Sequence, residues 1–237
     1  MPTSTEPPSP EAQRTASPVP YVAPFVAFMA LTALESNWTG GTVHLVAYSV
    51  KIIAVSACIA WAFRQYPRFN SQGWPSAVGF GIVGCAVWIG LAAWAPEEVF
   101  MRLLPDWVVG TERSGFNPWA ELPNGLAAVF IAIRFIGLAV VVPLMEEVFW
   151  RGFLLRYLVD ENFDRVPWGR VTPFSFIVVT LLFVAAHVEW SAALVWGAGI
   201  NWLYARTGNL WACIIAHAVT NLLLGIYVLT FSAWQLW

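Results

Sequence analysis

The sequence predicts an all-α polytopic membrane protein, a transmembrane bundle of seven to eight helices. Of its 237 residues, 59% are hydrophobic and only 11% are charged. A soluble globular domain carries about 25% charged residues, so the chain falls in the membrane class. Its 15 tryptophans fit that class, because tryptophan concentrates at membrane–water interfaces. With a net charge of −2 and no basic patch, we expect no nucleic-acid partner.

Composition separates a tail from a membrane domain. Residues 1–20 are rich in proline, serine and threonine, which predicts a disordered tail, and they lack the charged-then-apolar order of a signal peptide. Residues 21–237 are expected to form one integral membrane domain. Cys58, Cys85 and Cys213 form no CxxC pair and each lies in an apolar run, so we interpret them as buried, inert thiols.

Apolar runs mark the segments that are expected to cross the bilayer. A crossing helix needs about 20 apolar residues. The candidate segments are 21–35, 43–63, 77–95, a stretch that begins near 125, 171–190, 190–205 and 209–231. The run 125–159 is too long for one crossing, so we expect a short helix followed by a span over 137–157.

Arginine positions predict the orientation of the chain. With seven spans, eight arginines share a side with the N-terminus: Arg14, Arg64, Arg68, Arg151, Arg156, Arg165, Arg170 and Arg206. Only Arg102 and Arg113 lie in connections on the other side, where 96–124 forms an acidic loop. Cytoplasmic loops carry the excess of lysine and arginine, so we expect the N-terminus in the cytoplasm.

Polar side chains interrupt the later apolar segments, although ionisable groups are rare at membrane depth and usually functional there. They are Glu146, Glu147, Arg151, His187, Glu189, Asn201, His217 and Asn221. Of these, Glu189 and Asn201 are interpreted as packing or interface residues. His44 is interpreted as interfacial, whereas Lys51 and Arg134 are expected to snorkel or to pair with a neighbour.

Spacing distinguishes the two adjacent glutamates. Glu147 and Arg151 are four residues apart, share a helix face and have the favourable order for an ion pair. Glu146 is rotated from Glu147 by about 100°, and the residue four positions after it is Trp150 rather than a cation. One carboxylate is therefore neutralised locally, and the other is free to face a different group.

Polar groups from three helices are expected to meet around Glu146. His217 and Asn221 share a face of the last helix, and His187 follows Phe183 by the same four residues, at depth in a span that begins near 174. A carboxylate base, an imidazole that shares the proton and donors for an oxyanion can together activate water. We predict that these four polar ends lie in one pocket, open toward the cytoplasmic side, and that the chemistry is hydrolysis.

These motifs resemble those of the CAAX-protease and bacteriocin-processing family of intramembrane endopeptidases, which are EExxxR, FxxxH and HxxxN on successive helices. Here they occupy 146–151, 183–187 and 217–221, and the resemblance covers about 140–225. It implies an enzyme of the bacterial inner membrane whose substrate is a membrane protein or a lipidated peptide in the lipid bilayer. The segments "FWRGFLLRYL", "AHVEW" and "YVLTFSAW" resemble an exosortase-associated branch, which implies a functional link to an exosortase system.

The resemblance also implies a role for each matched residue. Glu146 would be the base that activates water, and His187 would share that role. His217 and Asn221 would stabilise the tetrahedral oxyanion. The second glutamate and the arginine of the first motif would hold the helix and the first glutamate in place. No cofactor is implied.

Two alternatives stay open at the level of sequence. Glu146, His187 and His217 would suit a three-ligand catalytic zinc site with an open position, although no HExxH motif is present. The second alternative is a non-enzymatic immunity or scaffold protein, or a proton-coupled carrier that uses the same buried groups. Carriers more often show an internal repeat, and none is visible between the two halves of the sequence.

Overall fold

The computed structural model of the chain describes residues 16–38, 40–94 and 115–237, and the described part is helical without a strand. It contains seven helices of 13 residues or more: α1 Val19–Glu35, α2 Gly41–Ala62, α3 Trp74–Trp94, α4 Asn124–Tyr157, α5 Pro173–Ala185, α6 Trp190–Thr207 and α7 Leu210–Phe231. The predicted all-α bundle is confirmed. Most of the predicted disordered tail and of the acidic loop lies outside the described residues.

Four of the helices, α2, α3, α4 and α7, are long and apolar enough to cross a membrane, which makes the chain an integral membrane protein. The other apolar helices are shorter, at 17 residues for α1 and 13 for α5. The apolar runs therefore located the helices to within a few residues, apart from the fourth. Length alone does not give α1 and α5 a full crossing, which needs about 20 residues.

The fourth helix is not divided as the sequence predicts. It is one continuous helix of 34 residues, about 51 Å long at 1.5 Å per residue. Two π-helical turns, Gly137–Val141 and Val148–Leu154, interrupt its α-helical pattern. Pro143 explains the first of them, because proline lacks an N–H and its ring clashes with the carbonyl four residues back. A wider turn, in which Val142 N–H donates to Gly137 O five residues back, absorbs that clash without ending the helix.

Local capping fixes the ends of the last three helices. The Thr172 hydroxyl accepts from Ser175 N–H and the Ser175 hydroxyl accepts from Thr172 N–H, a capping box that starts α5. Gly208 ends α6 in the left-handed region at φ 59°, which glycine adopts without strain. The Asn209 side chain then accepts from Trp211 N–H and starts α7. A two-residue turn is thereby enough to reverse the chain between α6 and α7.

The helices run so that the bundle has two chemically distinct ends. At one end the Tyr66 hydroxyl donates to Pro20 O at 2.9 Å, and Asn209 Nδ2 donates to Gln72 O at 2.9 Å. We call this the arginine end, since α1, α3, α5 and α7 begin there and most of the described arginines lie there. At the far end, the start of α2 meets the segment before α4 where Gly41 N–H donates to Glu121 Oε2 at 3.3 Å.

Candidate active site

The four residues predicted to converge line a common cavity of about 250 Å³. Glu146 comes from α4, His187 from the turn between α5 and α6, and His217 and Asn221 from α7. Three separate parts of the sequence are therefore brought together around one space, inside a bundle whose outer surface is largely apolar.

Behind the cavity, Glu147 is the centre of a buried polar network. Its Oε1 accepts from an Arg151 terminal nitrogen at 3.1 Å and from His217 Nδ1 at 2.9 Å. Glu147 and Arg151 are both fully buried, so the predicted ion pair forms in the interior of the bundle. The contact with His217 is not foreseen by the spacing argument: the second glutamate holds an imidazole of α7, 70 residues away in the chain.

Arg151 extends the network into α6. Its Nε donates to Asn201 Oδ1 at 2.9 Å, and its second terminal nitrogen donates to Gly197 O at 3.4 Å. Asn201 in turn donates to the Thr180 hydroxyl at 3.0 Å. A buried ion pair is favoured when its remaining donors and acceptors are also bonded; here the guanidinium donors are, whereas Glu147 Oε2 has no described partner. Asn201, interpreted from sequence as a packing residue, performs this function by orienting the guanidinium from a third helix.

Glu146 has different surroundings from its neighbour. Its side chain lines the cavity, and its Oε2 is buried without a hydrogen-bond partner among the described residues. None of the described cations lies within 4 Å of it. A buried carboxylate oxygen without a partner is costly, and Glu147 Oε2 is also unpartnered; Glu146 differs from Glu147 in lining the cavity and in having no ion pair.

His187 lies beyond the end of its helix. The sequence placed it within the fifth span, but α5 ends at Ala185 and His187 is in the turn that follows. Its Nδ1 donates to Phe183 O at 2.8 Å, a carbonyl of the last helical turn that also accepts from Ala186 N–H at 3.2 Å. The ring also stacks on Phe183 with centroids 4.2 Å apart and meets the edge of Trp88. The FxxxH spacing thus reflects a helix-terminating contact.

The hydrogen bonds determine which imidazole nitrogens are available. A carbonyl oxygen and an ion-paired carboxylate can only accept, so Nδ1 carries the proton in both His187 and His217. In each neutral ring, Nε2 is then the atom with a lone pair. Both residues line the cavity through the remaining part of the ring. The edge of Trp196 packs against His217 with centroids 4.6 Å apart, which further fixes the ring.

Asn221 compensates for the irregular backbone of α4. Its Nδ2 donates to Leu138 O at 2.9 Å. In the wide turn, the N–H of residue 143 would serve this carbonyl, but Pro143 has none. The Asn221 amide supplies the missing donor, and its second N–H and its oxygen remain for other partners.

The cavity lies between the middle of the bundle and the far end. Trp88 from the last two turns of α3, Glu189 from the α5–α6 turn and Trp237 from the segment after α7 all contribute to its wall. His187 lies past the far end of α5 rather than within the helix, so the cavity lies nearer the far end than the sequence predicts. The opening of the pocket toward the cytoplasmic side remains a prediction.

Glu146, His187 and His217 were also considered as zinc ligands. Among residues 16–38, 40–94 and 115–237, no group of three or more His, Cys, Asp or Glu side chains is arranged to hold a metal ion. His217 Nδ1 is engaged by Glu147 and His187 Nδ1 by a backbone carbonyl. In the structure, therefore, Glu146, His187 and His217 are not arranged as zinc ligands.

Two residues that contribute to this region were assigned no role from sequence. Asn201 holds Arg151, and Arg134 lines the cavity beside the predicted residues. Arg134 precedes Glu146 by three steps of four residues along α4, and this spacing is the only sequence signal that connects the two. An unbroken α-helix would, however, have placed the two on different faces.

Comparison with known families agrees with the motif resemblance. Residues 127–223 match the model of the family described as "Type II CAAX prenyl endopeptidase Rce1-like". The resemblance is confirmed over that segment, which contains all seven motif positions. No curated protein and no solved structure matches the chain. The link to an exosortase-associated branch remains a prediction.

Proposed function

We propose that this Rce1-like chain is an intramembrane endopeptidase that hydrolyses a peptide bond in a membrane-associated or lipidated substrate. The observation that carries the proposal is the pair of unlike glutamates. Glu147 is ion-paired through Oε1 in a buried network and does not line the cavity, whereas Glu146 has no ion-pair partner among the described residues and lines the cavity together with His187 and His217. The match to a CAAX endopeptidase family supports the reaction class.

In the proposed reaction, Glu146 removes a proton from a water molecule in the cavity. The water oxygen bonds to the carbonyl carbon of the substrate, and the carbonyl π electrons move to oxygen to give a tetrahedral oxyanion. The C–N bond then breaks, and the proton held by Glu146 passes to the leaving amine. His187 Nε2, left as an acceptor by the bond from Nδ1 to Phe183 O, shares the proton with Glu146.

Oxyanion stabilisation is assigned to α7. Asn221 keeps one amide N–H beyond the one that it donates to Leu138 O. For His217 to donate as well, both of its nitrogens must be protonated, and the Glu147 carboxylate at Nδ1 is the counter-charge for that form. A carboxylate that orients an imidazole and balances its charge is a recurrent arrangement in hydrolases. Donors fixed in advance stabilise the developing charge without reorganisation.

The cavity wall indicates a substrate that enters from the bilayer. Trp88, Leu138, Val142 and Leu224 supply apolar parts of a wall that also contains the polar side chains of the site. Such a lining suits a peptide held in the membrane by a lipid or by its own apolar segment. If the arginine end is cytoplasmic, as the distribution of arginines predicts, the substrate is cut in the non-cytoplasmic half of the membrane.

The proposal is tested with the full chain reconstituted in vesicles. Prenylated, acylated and unmodified versions of a peptide library are incubated with it, and the products are identified by mass spectrometry. We expect new carboxyl termini from the wild type and none from Glu146→Gln. Glu161→Gln is the matched control, because Glu161 is exposed in the loop after α4 and remote from the cavity. Equal cleavage by the Glu146→Gln and Glu161→Gln variants would overturn the proposal.

The same assay separates the alternatives. Turnover that persists after chelation and dialysis supports the metal-free mechanism, whereas turnover lost with the chelator and restored by Zn²⁺ favours the zinc alternative. Absence of any product from the wild type, with a biological effect retained by Glu146→Gln, would favour a scaffold or immunity protein.

A further inference from the structure

Arg134 is a cation in the wall of the cavity that the proposed hydrolysis does not use. Four side chains of α4 line the cavity in succession: Arg134, Leu138, Val142 and Glu146. The two charged members lie at the ends of this row, and the two between them are apolar. One face of α4 therefore presents a carboxylate, an apolar stretch and a guanidinium to the same space.

The π-turn is what aligns this row. Twelve residues of regular α-helix turn through about 1,200°, which would leave Arg134 and Glu146 about 120° apart. A π-turn accommodates one more residue than an α-turn, so the turn at Gly137–Val141 removes about 100° of that difference. The two side chains consequently line one cavity. The π-turn whose Leu138 carbonyl accepts from Asn221 therefore also places the Arg134 guanidinium in the cavity wall.

The guanidinium is held by aromatic rings. Its central carbon lies 4.8 Å from the ring centre of Tyr48 and 5.6 Å from that of Trp237. Nε is buried without an acceptor in the part of the chain that the structure describes. No described carboxylate lies within 4 Å of Arg134. The other acidic groups that line the cavity are Glu146 and Glu189.

A neighbouring cation shows the contrast. Lys51, also over the Tyr48 ring, forms a short ion pair with Glu35, and Glu35 also lies 3.6 Å from His44. Glu35 is therefore already engaged. Arg134 lines the cavity with a guanidinium that is supported by aromatic rings and has no described carboxylate within 4 Å, and a planar guanidinium suits a carboxylate or a phosphate.

We propose that Arg134 binds an anionic group of the substrate, a carboxylate several residues from the scissile bond. This inference rests on the proposed peptidase function. Twelve residues of helix separate Arg134 from Glu146 by about 18 Å, and an extended peptide covers that distance with about five residues. The enzyme would thus select peptides that carry a terminal or side-chain carboxylate at about that distance from the bond cut at Glu146.

The test uses peptides that differ in one charged group. Peptides are compared in pairs: a free terminal carboxylate with a terminal amide, and a glutamate with a glutamine. In each pair the variable group stands at one position, two to eight residues from the scissile bond. For the wild type, kcat/KM is expected to be about 10- to 100-fold higher for the acid than for the amide at one or two positions, because a hydrogen-bonded charge supplies that discrimination. In Arg134→Gln the ratio of acid to amide falls to about one, and Arg134→Lys retains part of it.

Arg206→Gln is the matched control. Arg206 lies in the last turn of α6, stacked over Trp202 at the arginine end, and does not line the cavity. Its variant should keep the wild-type ratio of acid to amide. A wild type without preference at any position would overturn the inference, and so would an Arg134→Gln variant that lowers kcat/KM equally for acid and amide.

Two further arms identify the source of the anion and separate this inference from the proposed function. The first compares the cleavage of uncharged peptides in vesicles with and without anionic lipid. If anionic lipid changes kcat/KM for the wild type but not for Arg134→Gln, the bound anion is a lipid phosphate and the peptide inference is overturned. Binding of fluorescent acid and amide peptides to Glu146→Gln needs no hydrolysis. An acid preference in that binding, lost when Arg134→Gln is added, supports the inference even if the wild type cleaves nothing.

Discussion

Two regions meet at the adjacent glutamates of α4. Behind the cavity, Glu147 Oε1 binds Arg151 and His217, and Arg151 binds Asn201, so that one network joins α4, α6 and α7; Glu147 Oε2 has no described partner. In front of Glu146 lies a cavity of about 250 Å³, and its Oε2 accepts no hydrogen bond from any described residue. Two glutamates at consecutive positions of one helix thus differ in ion pairing and in contact with the cavity.

This difference distinguishes a structural group from a reactive one. Buried charges that have partners resist change, because removal of one partner leaves the other uncompensated. A buried carboxylate that lines a cavity and has no ion-pair partner is the exception in folded proteins and is a candidate for catalysis. The comparison predicts that changes in the network mainly reduce stability, whereas changes at the cavity mainly reduce turnover.

The largest loss of stability is expected from Arg151→Met. The variant leaves Glu147 and Asn201 Oδ1 without their cation in a fully buried site, which costs about 3–5 kcal/mol. Thermal unfolding in detergent measures the change. The double variant Glu147→Gln/Arg151→Met removes both charges and should be more stable than Arg151→Met alone. An unchanged midpoint for Arg151→Met would show that the network does not stabilise the fold.

His187→Ala tests the cavity side of the comparison. Since the imidazole is only partly buried and its bond is to a helix-end carbonyl, stability should change little, while kcat/KM falls by about 10²-fold or more. His44→Ala is the control, because His44 is an imidazole of α2 that does not line the cavity. Equal turnover in the two variants would remove His187 from the reaction.

The pair Asn221 and Pro143 tests the explanation of the irregular backbone of α4. Asn221→Leu leaves Leu138 O without its donor and should destabilise the fold by about 1–3 kcal/mol. Pro143→Ala restores a backbone N–H that can serve the same carbonyl. The loss caused by Asn221→Leu is therefore expected to be smaller in the Pro143→Ala background than in the wild type. Additive losses in unfolding free energy would contradict the explanation of this hydrogen bond.

The smallest expected effect is at the edge of the network. Thr180→Val keeps the side-chain shape but removes the hydroxyl that accepts from Asn201, at a cost of about 1 kcal/mol in unfolding free energy. In the Arg151→Met background, where Asn201 no longer has a guanidinium to orient, the same substitution should cost less. An equal cost in both backgrounds would separate Thr180 from the network.

Features set by local spacing could be predicted from the sequence. Glu147 and Arg151 pair because four residues of helix place them on one face. His217 and Asn221 line the same cavity for the same reason. The apolar runs likewise located most helices, since helix position depends mainly on where apolar residues cluster. The catalytic roles of these residues remain predictions.

Features that depend on irregular backbone could not be predicted from the sequence. The π-turn at Gly137–Val141 shifts the register between Arg134 and Glu146, and a pattern counted at a constant 100° per residue misses it. The end of α5 at Ala185 moves His187 into a turn and the cavity toward the far end. Asn201 was interpreted as a packing or interface residue, but its bond to Arg151 could not be predicted, because the two residues are 50 positions apart on different helices.

Glu146 is assigned to catalysis and Glu147 to the stability of the fold, and measurements on one pair of variants test this division. Glu146→Gln and Glu147→Gln are prepared in the same lipid, and turnover and unfolding free energy are measured for both. Glu146→Gln should lose about 10²- to 10⁴-fold in kcat with little change in stability. Glu147→Gln should be less stable by several kcal/mol, because Arg151 is left buried without its counter-ion. A Glu146→Gln variant that turns over normally, or that unfolds as readily as Glu147→Gln, would contradict the claim.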